Sequence, residues 1–162
     1  MIYRVICAAR VEVVAPVAPQ HELAFRHLYD LPREIVWDAL VDPDLAAGWL
    51  AALEIEPLPG GVYTLTWLGG AEPVGTVWPG RIAKIAQPSA LAIDFLPHSY
   101  LAFQLHDREG GTRGRSTSLD LSYSTFIESS QVDQIKEDWN RRLWDLEDLL
   151  RGHPVDWVNW QK

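Results

Sequence analysis

Residues 28–50 read LYDLPREIVWDALVDPDLAAGWL and dictate the topology expected for the rest of the chain. Pro32, with acidic residues beside it, is typical of a helix start, and the helix should run to about Val41. Its apolar stripe consists of Ile35, Val36, Ala39 and Leu40, with Trp37 beside it. Residues 42–44 (Asp-Pro-Asp) break this helix and cap a second short one, predicted from Leu45 to Leu50. The stretch therefore predicts two short helices joined by a tight turn.

A strand is predicted directly before these helices, from His21 to Tyr29. Alternate residues of a strand share one face, and here that face carries Leu23, Phe25, His27 and Tyr29. Residues 1–20 alternate only weakly and end in a stretch that contains Pro16 and Pro19. They are an extra edge strand, an arm on a partner or a weakly tethered tail, and the sequence leaves these alternatives open.

The chain after the two helices predicts an antiparallel meander. Strand-like runs at 62–68, 74–85, 91–96, 101–106 and 117–124 are separated by turns rich in Gly, Pro and Ser. Pro79-Gly80 inside the second run predicts an edge or a bulge, because proline cannot donate to a strand ladder. One face of the sheet is apolar, whereas the other carries Asp94, Gln104 and Asp120.

A long helix is predicted to cover the apolar face of this sheet. Ser129-Ser130 caps it, it runs from about Gln131 to Leu150, and Gly152 and Pro154 end it. Its stripe consists of Val132, Ile135, Trp139, Leu143, Leu146 and Leu150. At 1.5 Å per residue the helix is roughly 30 Å long, enough to cross the sheet. The fold class is therefore α+β, with a sheet of about six antiparallel strands and a long C-terminal helix.

Composition and charge narrow the classes of function. The 162 residues are 48% hydrophobic and 22% charged, which is typical of one globular domain. The net charge of −8 argues against nucleic-acid binding and a polybasic membrane anchor. Cys7 is the only cysteine, so no intrachain disulfide is expected. No apolar run reaches membrane-spanning length, and the N-terminal stretch lacks a continuous signal-peptide core. We therefore expect a cytoplasmic protein without membrane insertion.

No strong catalytic or metal-binding motif is present. The chain lacks a G-x-S-x-G elbow and the phosphate-binding glycine patterns, and its double glycines fall between predicted strands. The five histidines show no zinc-ligand spacing. We therefore predict no catalytic residue, no metal and no cofactor.

Eight tryptophans are the unusual feature of the composition. They predict either a tryptophan-rich core or a cavity with walls made of rings, in which an apolar ligand is held. Tyr63, Tyr123 and His27 fall on inward faces by alternation. They are either bonded within the packed interior or orient the few polar atoms of a ligand.

The spacing of several residues resembles the START-type SRPBCC superfamily, in the branch of the activator of heat-shock-chaperone ATPase. The matching residues are Pro32, Val36-Trp37-Asp38-Ala39-Leu40, Asp42-Pro43-Asp44-Leu45 and Trp49-Leu50, followed by Gly60-Gly61, Gly75-Thr76-Val77, Gly111-Thr112-Arg113, Trp139 and Leu143. The resemblance covers about residues 22–151 and implies a helix-grip fold. In this fold a curved antiparallel sheet wraps around the C-terminal helix, and an apolar cavity lies between the sheet and the helix. It also implies lipid, sterol or polyketide ligands. Some members of the superfamily are cyclases, and the namesake assists a chaperone.

Three hypotheses of function follow. The preferred one is a non-enzymatic binder of a lipid, polyketide or aromatic metabolite. The second is a cyclase, dehydratase or hydrolase that uses His27, Tyr63 or Tyr123 in the same cavity. The third is a chaperone-associated interaction module that uses the acidic surface and the tail.

The predicted domain spans residues 21–152, preceded by the arm 1–20. The tail 153–162 contains Trp157 and Trp160 and is expected to dock on the domain or on a second subunit, which leaves a homodimer or a protein partner open. The predicted ligand-binding residues are Phe25, His27, Trp37, Trp49, Tyr63, Leu65, Trp67, Phe95, Phe103, Leu121, Tyr123, Trp139 and Leu143.

Overall fold

The computed structural model describes residues 18–159, so the predictions for Cys7, Trp160 and most of the N-terminal arm lie outside the described residues. Strand β1 (Gln20–Tyr29) leads into helices α1 (Arg33–Val41) and α2 (Pro43–Ala46). The strands that follow are β2 (Ala52–Ile55), β3 (Tyr63–Thr66), β4 (Val77–Trp78), β5 (Gly80–Ala86), β6 (Ala90–Phe95), β7 (Ser99–Glu109) and β8 (Arg115–Phe126). A short 3-10 turn (Ser129–Gln131) precedes the long helix α3 (Val132–Leu150).

The strands form two antiparallel sheets. Five strands pair in the order β1-β8-β7-β6-β5, and a smaller sheet pairs β2, β3 and β4. A single bridge between Val62 and Arg81 connects the two sheets. This confirms the predicted α+β class with an antiparallel meander and a long C-terminal helix.

The structure differs from the sequence predictions in three elements. The run predicted over 74–85 is two strands, because Pro79 interrupts it and its carbonyl accepts a hydrogen bond from Leu96 N at 3.0 Å. The second helix is Pro43–Ala46 rather than 45–50: Asp42 caps it by accepting from Asp44 N at 2.9 Å, which starts the helix at the proline. Strand β2 was not predicted, because its four residues lack a distinctive alternation.

The core lies between α3 and the apolar face of the five-stranded sheet, as predicted. Leu101, Phe103 and Leu105 of β7 and Leu119, Leu121 and Tyr123 of β8 are buried on that face. Trp139, Leu143 and Leu146 of α3 belong to the same core cluster. Tyr29 at the end of β1 donates a hydrogen bond to the carbonyl of Leu143 at 2.9 Å, which attaches the helix to the edge strand. Asp94 and Gln104 point to solvent on the opposite face.

The C-terminal tail docks on the domain near α2. Val155 N donates to the carbonyl of Gly48 at 2.9 Å, and the indole of Trp157 donates to the carbonyl of Ala47 at 2.7 Å. A Cβ at Gly48 would lie 2.8 Å from Leu149 Cδ1 and 3.3 Å from Pro154 Cβ, so a larger residue there would displace the Leu149 side chain. Among residues 18–159, no helix has the combination of length and apolar character needed to cross a bilayer.

Candidate ligand-binding site

Four aromatic rings form a closed cycle at the end of the core where the small sheet meets α3. Ring centroids are 4.9 Å apart between Trp67 and Trp78, 6.1 Å between Trp78 and Tyr123, 5.6 Å between Tyr123 and Trp139, and 6.3 Å between Trp139 and Trp67. The void among them, which we call the aromatic slit, has a volume of about 20 Å³. It is also lined by Ala71, Glu72, Ile135, Asp138 and Arg142. A void of this size holds about one water molecule.

Local alternation and helical spacing aim these rings inward. Trp67 continues the inward face of β3 after Tyr63 and Leu65, and all three are buried. Tyr123 occupies the inward face near the end of β8, and Trp139 lies on the apolar stripe of α3. Trp78 is half-buried in the two-residue strand β4, so it is the most accessible ring of the cycle.

A loop of residues 68–75 covers the slit and is held closed at its base and its tip. At the base, Trp67 N donates to the carbonyl of Thr76 at 2.9 Å and Gly75 N donates to the carbonyl of Trp67 at 2.8 Å. At the tip, Arg142 Nη2 donates to the carbonyl of Gly69, and Ala71 N donates to Asp138 Oδ1 at 3.1 Å. We call these tip contacts the latch.

Arg142 is a buried cation at the centre of the latch. Only 1% of its surface is exposed, and its guanidinium pairs with Asp138 Oδ2 at 3.1 Å and donates to the carbonyl of Leu50 at 2.8 Å. Its guanidinium carbon also lies 4.5 Å from the centroid of the Trp67 ring, a cation–π geometry. Burial lowers the pKa of Arg142, and the adjacent Asp138 carboxylate opposes that shift. The guanidinium remains charged, because arginine is not deprotonated in proteins. It connects α3 to the loop at Gly69 and to Leu50, which follows α2.

The loop is the wall between the slit and an open groove on the surface. That groove has a volume of about 240 Å³ and is lined by Gly70, Ala71, Gln134, Glu137, Asp138 and Arg141. Ala71 and Asp138 line both spaces. Release of the latch would therefore join the slit to this groove.

Substitution of Gly70 by alanine is expected to open the latch. Gly70 has φ +108°, and a Cβ there would lie 2.0 Å from Arg142 Nη2. Gly75 in the same loop has φ +90° but no atom within 4 Å of a Cβ, so Gly75→Ala measures the backbone strain alone. We expect Gly75→Ala to cost about 1–2 kcal/mol in denaturant unfolding and Gly70→Ala about 2 kcal/mol more. Equal losses in the two variants would contradict the latch.

The tyrosine hydroxyls of the interior are engaged in hydrogen bonds. Tyr63 donates to the carbonyl of Leu40 at 2.6 Å, and burial raises the pKa of its phenol. Burial also raises the pKa of Tyr123; hydrogen bonds with Ser99 and Thr125 oppose the shift, and the charges of Glu72 and Asp138 add to it. A phenol with a raised pKa stays protonated at neutral pH, so Tyr123 presents a neutral hydroxyl near the slit.

Alkaline pH is expected to unfold the protein through its buried tyrosines. Burial raises the pKa of Tyr29, Tyr63 and Tyr123 above the value of about 10 for an unfolded chain. Their contribution to stability is therefore complete below pH about 10 and is lost as the pH rises from there towards the folded-state values. Tyrosinate absorbance from these three residues should appear together with the loss of near-UV circular dichroism. Ionisation of all tyrosines before unfolding would contradict this expectation.

The predicted ligand-binding residues divide into separate groups. Trp67, Tyr123 and Trp139 line the slit. A second group is buried in the continuous core and consists of Trp49, Tyr63, Leu65, Phe95, Phe103, Leu121 and Leu143. Trp37 is also buried and contributes to a surface groove of about 410 Å³ with Val41, Pro57, Ile85 and Gln87. Phe25 is partly buried against the core.

His27 lies in a different environment, between β1 and the C-terminal half of α3. Its Nε2 is 2.9 Å from Glu147 Oε1, and its ring contacts Tyr29 and Trp144 at centroid distances of 4.6 and 4.7 Å. It does not line the slit. Within the described residues, no group of three or more His, Cys, Asp or Glu side chains is arranged to hold a metal ion.

Sequence reasoning missed Trp78, Asp138 and Arg142, which complete the slit and the latch. Arg142 was detectable, because it follows Trp139 by three positions and therefore lies on the same helical face. Trp78 was missed because the sequence predicts one continuous strand over 74–85, whereas Trp78 lies in the separate strand β4. Asp138 carried no sequence signal, since its position borders the apolar stripe rather than belonging to it.

An antiparallel sheet, a long C-terminal helix on its apolar face and two short helices after the first strand together define a helix-grip protein of the SRPBCC superfamily. The chain belongs to the activator of Hsp90 ATPase homolog 1-like family, whose model matches residues 30–151. No curated protein is significantly similar in sequence.

Solved structures support the same fold. CalU16 from Micromonospora echinospora is 25% identical, with a TM-score of 0.63 over 80% of this chain and 75% of that chain. The AHSA1-like protein from Aeromonas hydrophila is 18% identical, with a TM-score of 0.67 over 82% of this chain and 93% of that chain. DynU16, a protein in the dynemicin biosynthetic locus, is 21% identical, with a TM-score of 0.63 over 82% of this chain and 48% of that chain.

Proposed function

We propose that the protein binds a small, mostly apolar molecule between the sheet and α3, and that the ligand enters at the aromatic slit. The observation that carries this proposal is the closed cycle of four rings beneath a latched loop. Ligand pockets are lined mainly by hydrophobic and aromatic side chains, so a void among four rings favours an apolar ligand. DynU16, which has a similar fold, is a protein in a biosynthetic locus, and this supports a small metabolite as the ligand.

Ligand binding on this proposal requires the rings to separate. The closed slit of about 20 Å³ is much smaller than the roughly 150 Å³ cavity that accepts benzene in an engineered protein. Opening of the loop and rotation of the half-buried Trp78 would supply the missing volume. The apparent affinity is then reduced by the fraction of molecules in the open state.

The alternative functions draw less support from the described residues. The enzyme hypothesis needs an acid or base beside the ligand, but Tyr63 is bonded to a backbone carbonyl and His27 pairs with Glu147 outside the slit. Tyr123 does line the slit, but burial raises the pKa of its phenol and its hydroxyl is bonded to Ser99 and Thr125. The interaction-module hypothesis was motivated by the acidic surface and the tryptophan tail, and Trp157 of that tail donates to the carbonyl of Ala47 on the same chain.

A pair of tryptophan substitutions on α3 tests the proposed site. Ile135 lines the slit, so Ile135→Trp places a fifth ring at its mouth. Lys136 is exposed one residue later, so Lys136→Trp adds the same ring outside the site. We expect anthraquinone to quench the tryptophan fluorescence of the wild type saturably. Lys136→Trp should keep the wild-type affinity for anthraquinone, whereas Ile135→Trp should bind it at least about tenfold more weakly.

Native mass spectrometry with a panel of lipids and aromatic polyketides provides an independent measurement. Thermal unfolding of both variants verifies that they are folded. Equal affinity in the two variants would place the ligand elsewhere, and an absence of any bound mass or thermal shift across the panel would remove the proposal.

A further inference from the structure

Trp67, which lines the slit, carries a buried polar group that the protein leaves without a partner. Trp67 Nε1 is buried and makes no hydrogen bond with any other described residue. The whole side chain is 98% buried, with 2% of its surface exposed. Buried donors in folded proteins are nearly always paired, so this indole N–H is suited to an acceptor atom in the slit, either of a water molecule or of a ligand that displaces it.

Trp67 cannot readily turn its N–H towards another protein acceptor. The Arg142 guanidinium covers the ring at 4.5 Å, and the rings of Trp78 and Trp139 pack against it edge to face at 4.9 and 6.3 Å. The nearby Asp138 carboxylate is engaged by Arg142 through one oxygen and by Ala71 N through the other. The packing therefore keeps this donor from pairing within the protein, and it leaves the N–H for an acceptor atom of a ligand that enters when the loop opens.

The charges around the slit limit the charge of that ligand. Glu72 and Asp138 line it together with the single cation Arg142, so an anionic ligand would meet excess negative charge. A cationic ligand would meet Arg142 and would leave the indole N–H unpaired. A neutral acceptor, such as a carbonyl oxygen, satisfies Trp67 and avoids both penalties.

We infer that the ligand is a neutral, planar aromatic molecule with a carbonyl oxygen, and that Trp67 Nε1 donates a hydrogen bond to this oxygen. The inference rests on the proposed function and specifies its ligand class. Trp67 is then the residue that selects a carbonyl-bearing ligand from hydrocarbons of the same shape, because only the former pairs the buried donor.

Three naphthalene probes of similar size test the inference on the intact chain. Acetylnaphthalene carries the carbonyl, isopropylnaphthalene has nearly the same shape without an acceptor, and naphthoate carries a negative charge. We expect acetylnaphthalene to bind about fivefold more tightly than isopropylnaphthalene, the gain of one net hydrogen bond, and naphthoate to bind most weakly. In the proton–nitrogen NMR spectrum, acetylnaphthalene should move the assigned Trp67 indole N–H resonance downfield relative to the isopropyl complex.

Substitution variants separate the hydrogen bond from the ring. Trp67→Phe keeps an aromatic ring but removes the N–H, and it should bind the two neutral probes equally. Trp139→Phe makes the same reduction in the neighbouring ring of the cycle. It should weaken the binding of both neutral probes and keep the fivefold ratio of their affinities.

The outcomes distinguish the inference from the proposed function. Equal binding of the two neutral probes by the wild type, or tightest binding of naphthoate, would overturn the inference and leave a ligand site at the slit. If Trp67→Phe does not fold, the NMR measurement on the wild type decides. A Trp67 indole N–H resonance at the same position in the acetylnaphthalene and isopropylnaphthalene complexes would overturn the inference. An absence of binding by every probe would overturn both proposals.

Discussion

Replacement of Arg142 by alanine is expected to lower the free energy of unfolding by about 3–5 kcal/mol. The substitution removes a buried cation and leaves the carbonyls of Leu50 and Gly69 without this donor. It also leaves the carboxylate of Asp138, with 15% of its side chain exposed, without its 3.1 Å partner. A buried polar or charged group that loses its partner lowers the free energy of unfolding by more than the intact interaction contributes to it.

A matched control lies one residue earlier on α3. Arg141 is exposed, and exposed charged contacts contribute little, so Arg141→Ala should lower the free energy of unfolding by less than about 1 kcal/mol. Urea unfolding monitored by circular dichroism measures both variants. A loss below about 1 kcal/mol for Arg142→Ala would show that the latch is not a principal tertiary contact.

The same variant distinguishes a latch that controls access from one that only stabilises the fold. If the loop must open before a ligand enters, release of the latch raises the open fraction and therefore raises the apparent affinity. We accordingly expect folded Arg142→Ala protein to bind anthraquinone more tightly than the wild type although it is less stable. Weaker binding in proportion to the loss of stability would assign Arg142 a purely structural role.

Replacement of Trp139 by alanine should have a comparably large effect, about 3–5 kcal/mol, because it deletes a buried ring from the core. Trp139 is 2% exposed and contacts both Trp67 and Tyr123. The void left behind would extend the slit and remain apolar on most sides. Indole should therefore bind this variant and recover part of its lost thermal stability, as ligands do in engineered apolar cavities.

Trp144 on the same helix is the matched control for this substitution. It is 59% exposed and its main ring contact is with His27, so Trp144→Ala should cost about 1 kcal/mol and show no rescue by indole. Thermal unfolding with and without indole measures both variants. Rescue of both variants, or of neither, would contradict a specific cavity at position 139.

The difference between the latch and the core explains how far sequence reasoning extends. Inward positions such as Leu65, Leu121 and Leu143 follow from periods of two and 3.6 residues, because burial of one face is a local pattern. The order of strands and helices follows from turn residues in the same way. The bonds of Arg142 to Leu50 and Gly69 connect positions 92 and 73 residues apart, and no local pattern encodes such a pairing.

The sequence by itself determined the α+β class, the two short helices after the first strand, and the long helix that packs on the apolar face of the meander. These features depend on periodicity and turn chemistry, which act between near neighbours. Only the tertiary structure decided that the chain passes at Pro79 from the small sheet to the five-stranded sheet. It also decided that Trp78 completes the ring cycle and that Trp67 Nε1 lacks a partner. Those outcomes depend on how distant side chains fill one shared volume, because packing is a property of the assembled core rather than of any segment.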